Sequence, residues 1–114
     1  MGFDWKQLSS DLGDDSALAR EVAQVLCQSW PALHRRLLTS LALQDDLEKA
    51  RSLHALKGAL GVFPSNEFAT KLSSIEKHFR QSECDLALPS LQKVLPEIEN
   101  YISKLSDLLS KETP

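Results

Sequence analysis

Apolar residues recur at steps of three and four through most of the chain, which is a helical period, and glycine, proline and capping residues cut the pattern into segments. Trp5, Leu8 and Leu12 predict a short first helix that Gly13 ends, placed to cap one end of a bundle. Asp14 or Asp15 can N-cap a long second helix with Leu18, Val22, Val25, Ser29, Leu33 and Leu37 on one stripe, and Pro31 is expected to kink it. After a loop over 41–44, Asp45 with Glu48 three residues on makes a capping-box start for a third helix running to about Phe63. Ser65, following Pro64, is expected to cap a fourth helix. That helix turns Phe68, Leu72, Ile75 and Phe79 inward and Lys71, Glu76, Lys77 and Arg80 outward, with His78 solvated among the charges. The last helix opens near Asp85 and carries Leu88, Leu91, Leu95, Ile98, Ile102, Leu105 and Leu109 in alternating steps of three and four. Pro89 lies near its first turn, and Pro96 predicts a bend.

The expected fold is all-α, an antiparallel up-down-up-down four-helix bundle behind a short N-terminal capping helix, forming a single domain over 1–114. Composition supports one core: 114 residues at 42% apolar content can bury a continuous interior but leave no room for a second catalytic lobe. A net charge of −3 without a concentrated basic surface argues against nucleic acid as a partner, and Arg20, His34, Arg35 and Arg36 read as solvated helix face. Cys27 and Cys84 are far apart and match no zinc spacing, so each reads as a small buried hydrophobe in a reducing compartment and no metal site is expected. No apolar run approaches the ~18 residues of a membrane span, and the acidic, polar start lacks the pattern of a signal peptide. The expected location is the cytoplasm, without membrane insertion.

Chemistry concentrates on the third helix. With about 100° per residue, Leu53, Leu56, Leu60 and Phe63 share one stripe, and His54 falls about 140° from its centre, toward water. Gly58 and Gly61 follow on the face of His54, and Ala50 precedes it by one turn. Each glycine inside a helix is about 1 kcal/mol less favourable than alanine, so two on an exposed face point to a requirement for bare backbone beside the imidazole. Lys57 stands one turn on, within reach of anything attached to that ring.

The run His54-Ala55-Leu56-Lys57-Gly58-Ala59-Leu60-Gly61 resembles the signature of histidine-containing phosphotransfer (HPt) domains, in which histidine, a variable residue, an aliphatic residue, lysine and glycine follow in that order. The resemblance extends over nearly the whole chain, since such domains are four-helix bundles of about this length. It implies His54 as phosphoacceptor, Lys57 as the cation that offsets phosphoryl charge, and Gly58 as the residue that clears space for an incoming receiver domain. Two positions depart from the family pattern: Leu53, which belongs to the core stripe, and Pro64, which shortens the helix and reshapes the docking surface. Leu47, Ala50 and Arg51 upstream and Gly61 downstream are expected to form the docking rim.

By the same resemblance, a receiver's phospho-aspartate gives its phosphoryl group to His54, and a second receiver takes it. The partners are receivers of a hybrid kinase and a response regulator. Mg²⁺ sits on the receiver, and this chain, a monomer, needs no cofactor. Kinase dimerisation domains follow their histidine with an acidic residue, where this chain has Ala55, and no nucleotide-binding loop occurs, so the chain is not expected to be an enzyme that draws on ATP. Two alternatives stand beside this reading: the phosphoacceptor domain of a chemotaxis-type kinase, and a non-catalytic helical adaptor in which His54 is incidental. Metal or haem ligation in the core is disfavoured because His34, His54 and His78 lie on different helices.

Overall fold

The computed structural model describes residues 4–111, which form five α-helices and no strand. They are α1 (Trp5–Ser10), α2 (Ser16–Leu41), α3 (Asp46–Leu60), α4 (Phe68–Arg80) and α5 (Cys84–Lys111), with a 3₁₀ turn at Pro64–Asn66 between α3 and α4. At 1.5 Å per residue α2 and α5 are each about 40 Å long, so they account for the 46 Å long axis of a molecule only 22 by 21 Å across. α2 packs against α3 and α5, α3 against α4, and α4 against α5, which closes a ring around one core. α1 lies against α2, and the loop after it is tied to the 3₁₀ turn, where the Ser65 hydroxyl donates to Asp11 Oδ2 at 2.6 Å.

Helix starts are set by short polar side chains. Asp4, Asp15 and Asp45 each accept the backbone N–H three residues on, from Gln7, Leu18 and Glu48 respectively. Asp15, not Asp14, is therefore the cap of α2, while Gly13 and Asp14 make the left-handed turn before it with φ of 68° and 63°. Only half of the expected capping box forms at α3, because the Glu48 carboxylate turns to Arg36 at 3.5 Å. Ser65 does not cap α4. Asn66 does that work: its Oδ1 accepts from Phe68 N–H and its Nδ2 donates to the Leu60 carbonyl, both at 2.8 Å, so one side chain joins the end of α3 to the start of α4.

Three stripes differ from expectation. On α2 the buried apolar positions are Ala19, Ala23, Leu26 and Leu37, whereas Leu18 and Val25 are 40% and 60% exposed. The small alanines allow close approach between helices, so the stripe of larger side chains is rotated outward. On α5 the buried set runs Ala87, Leu91, Val94, Ile98, Ile102, Leu105, and Leu88 is exposed. The two sets part in the first half of the helix, at Ala87 and Val94, and coincide from Ile98 to Leu105; a straight helix drifts about 20° per heptad from a 3.5 repeat, so the inward face does not stay on one seam throughout. α3 stops at Leu60, three residues short of expectation, yet Phe63 beyond it is fully buried. α2 and α5 remain helical through Pro31, Pro89 and Pro96.

Polar contacts complete the frame. Ser40 of α2 and Ser52 of α3, both buried, meet hydroxyl to hydroxyl at 2.9 Å. Cys84, half-buried, is not simply apolar packing: its thiol donates to Asp46 Oδ1 at 3.1 Å, a contact that pushes the thiol pKa up and the carboxyl pKa down. His78 is half-buried beside Glu83, with Nδ1 3.0 Å from Oε1, rather than freely solvated.

Candidate functional site

α3 presents a narrow exposed arc, because α2 flanks it on one side and α4 on the other. Leu53, Leu56 and Leu60 are fully buried, and His54 stands with 64% of its side chain in solvent. Its Nδ1 faces α4, 3.4 Å from Glu76 Oε1. The same oxygen accepts from Lys57 Nζ at 3.1 Å. Glu76 Oε2 accepts from Arg80 Nε at 3.0 Å and lies 2.8 Å from Arg80 Nη2.

Glu76 is thus the hub of the cluster, and its side chain is only 9% exposed. The expectation that it points outward fails because position 76 is four residues after buried Leu72 and one after buried Ile75, at the edge of the core stripe that faces α3. Three nitrogen-bearing side chains converge there. Burial pushes the carboxyl pKa up, but hydrogen bonds from Arg80, Lys57 and His54 outweigh it and hold the group below its ordinary value. Lys57 is accordingly not an isolated cation beside His54. With a neutral imidazole the cluster carries two cations and one anion, which leaves one net positive charge.

The two glycines separate in role. A Cβ built on Gly58 would meet nothing within 4 Å, so no packing inside the chain explains a glycine at this exposed helical position. At Gly61 a Cβ would lie 3.2 Å from the Lys57 carbonyl oxygen and 3.7 Å from Ala69 Cβ, which is an internal reason for a small residue where α3 meets α4. Leu47 and Arg51 are exposed on the arc of His54. Ala50 is not: it is fully buried and cannot form part of a docking rim. It sits seven residues before Lys57, hence on the row that leans toward α4, so its position one turn before His54 misleads.

A surface that sequence reasoning assigned to the core adjoins this arc. Leu18, Val22, Val25 and Ser29 of α2 with Ala59 of α3 and Val62 just beyond its end line an open apolar groove of about 330 Å³. Ala59 and Val62 follow Gly58 by one and four residues, so groove and histidine share one side of the molecule. The signal was present in α2, which carries two parallel apolar stripes, 18-22-25 and 19-23-26, where core packing needs one. On the other flank Lys57, Gly58, Gly61, Ala69, Thr70 and Ser73 border a shallow depression between α3 and α4. Among the described residues no three His, Cys, Asp or Glu side chains gather as a metal site, and no helix is long and apolar enough to cross a membrane.

A family model, the Hpt domain, matches residues 21–109 and so covers most of the chain. The chain belongs to the Hpt domain family, which gives it a phosphotransfer role in two-component signalling. Its partners are of the receiver-domain class. No curated protein and no solved structure matches the chain.

Proposed function

We propose that His54 accepts a phosphoryl group from the phospho-aspartate of one receiver domain and passes it to the aspartate of another. The observation that carries this reading is a solvent-exposed imidazole on a rigid helix, held from behind by a buried carboxylate and bordered at Gly58 by backbone that nothing in the chain covers. An exposed imidazole in its neutral form is nucleophilic without a dedicated base. Lys57 supplies positive charge toward the phosphoryl oxygens, shared with Glu76, and Gly58 leaves room for the receiver's acidic pocket. The receiver brings the Mg²⁺ and the remaining catalytic groups, so this chain contributes position, access and local charge.

Docking spreads over α2 and α3 together. The apolar groove of Leu18, Val22, Val25 and Val62 supplies the buried part of the contact, and Leu47, Arg51 and Gly61 supply part of its rim, a size and mixture suited to a transient complex. The same reading takes α2 to α5 as an up-down-up-down bundle, favoured by the short connections, with α1 as its cap. It takes the chain as one cytoplasmic, monomeric domain serving a hybrid kinase and a response regulator.

The test is to mix the protein with phosphorylated receivers. An acid-labile, alkali-stable label is expected on the wild type and absent from His54→Gln. Label that survives this substitution rules the reading out. Label taken only from an ATP-binding kinase core would instead mark the acceptor domain of a chemotaxis-type kinase.

A further inference from the structure

We propose that Glu21 selects which receiver docks and, with Arg51, sets which way round it sits: the partner brings a lysine or arginine to the lip of the apolar groove and a carboxylate to the far side of His54. This rests on the function proposed above and adds to it the charge pattern that the partner carries.

Glu21 is the one charged side chain among those lining the groove of Leu18, Val22, Val25 and Val62, and it is exposed. Among the described residues it makes no ion pair and no side-chain hydrogen bond. Other charges on this side of the bundle are satisfied within the chain, Lys57 and Arg80 by Glu76 and Arg36 by Glu48. Arg51 differs: it is exposed one turn before His54, and no carboxylate among the described residues pairs with it. Two unpaired charges of opposite sign therefore bracket the docking face. The Ser40–Ser52 contact marks one level on α2 and α3, and the groove, where Val25 and Ser29 meet Ala59 and Val62, shows that α3 runs back along α2. Glu21 lies nineteen residues before Ser40 and His54 two residues after Ser52, so at about 1.5 Å per residue they stand about 25 Å apart along the bundle. A domain of about 100 residues has a radius of gyration of about 13 Å and is roughly 30 Å across. One partner seated on His54 thus reaches Glu21.

A partner that closes over the groove takes water from Glu21. A carboxylate removed from water without a partner is costly, and a second carboxylate set against it adds repulsion. A lysine or arginine at that place instead replaces the lost hydration with a charge-assisted hydrogen bond. The apolar wall therefore holds any partner with an apolar patch, and Glu21 rejects those that lack the cation. Arg51 applies the same rule with the sign reversed, its planar fork being matched to a carboxylate. A partner of this pattern turned end for end would set like charge against like at both places, so one orientation is admitted.

Receiver domains of hybrid kinases and response regulators are titrated against the wild type by calorimetry, and the tightest-binding one is carried forward. Glu21→Lys and Arg51→Glu are each expected to weaken that receiver about tenfold at low salt, a loss that shrinks as salt is raised, and Glu21→Gln is expected to weaken it less. Denaturation midpoints should stay where they are, both side chains being exposed. Charge reversal on the receiver then separates pairing from any other effect. Replacing one surface lysine or arginine of the receiver by glutamate is expected to restore its binding to Glu21→Lys and to weaken its binding to the wild type. Equal affinity of the wild type and Glu21→Lys at low salt overturns the proposal. So does a Glu21→Lys defect that no such replacement restores. Failure of the relay reading looks different: the receiver would bind with this charge dependence and yet pass no label to His54.

Discussion

At Gly58 stability and function make opposite demands. The position is helical and exposed, and a Cβ there would touch nothing within 4 Å. Gly58→Ala is therefore expected to stabilise the protein by about 0.5–1 kcal/mol, the difference in helix propensity, seen as a raised denaturation midpoint. A bulky residue inverts the benefit: Gly58→Leu should fold as well as the wild type and slow phosphoryl transfer from a receiver, because the side chain occupies the approach to His54. A Gly58→Leu protein that exchanges phosphoryl groups at the wild-type rate would show that the bare backbone has no part in access. Glu67 offers a contrasting case. Its φ of 64° is left-handed and unfavourable for a side chain, so Glu67→Gly should relieve about 1 kcal/mol without touching transfer.

Among the elements, α3 and α4 are joined by charge as well as by packing. Glu76 has a pKa held below the ordinary carboxylate value in the folded protein. A depressed folded pKa contributes stability that is fully present above the unfolded pKa and is lost as pH falls through the folded one. Acid titration of the wild type is therefore expected to lose stability below the ordinary glutamate range, and Glu76→Met should show a flatter profile there. An equal slope in both proteins would mean that the cluster does not couple to folding. The cap of α3 can be tested in the same series. Asp45→Ala removes the acceptor of the Glu48 N–H, a loss of about 1 kcal/mol by denaturant unfolding.

On the scale of the whole molecule, one flank of the bundle combines an exposed histidine with an apolar groove. Val25 and Leu18 are exposed, so Val25→Glu and Leu18→Glu should leave stability within about 0.5 kcal/mol of the wild type. Both should weaken capture of a receiver, measured by calorimetry or by the concentration dependence of transfer. Leu26, one position from Val25 and buried, serves as the contrast: Leu26→Ala should lose about 2–5 kcal/mol of stability. Unchanged receiver affinity in both glutamate variants would move the docking surface elsewhere.

Much of this was legible in the order of residues. Local chemistry determined the helices, because Asp15 and Asp45 cap them through contacts only three residues away and the apolar period is written in the chain itself. The outward direction of His54 also followed from α3 alone, since three leucines on one stripe leave the opposite side to water. Only the tertiary structure decided which neighbours those surfaces meet. It buried Ala50, turned Leu18 and Val25 out into an apolar groove, and brought Glu76, twenty-two residues distant in sequence, to Nδ1 of His54. Periodicity gives the direction of a side chain about its own helix axis, whereas burial and charge pairing depend on how closely a second helix approaches, and at α2 small alanines rather than large leucines set that approach.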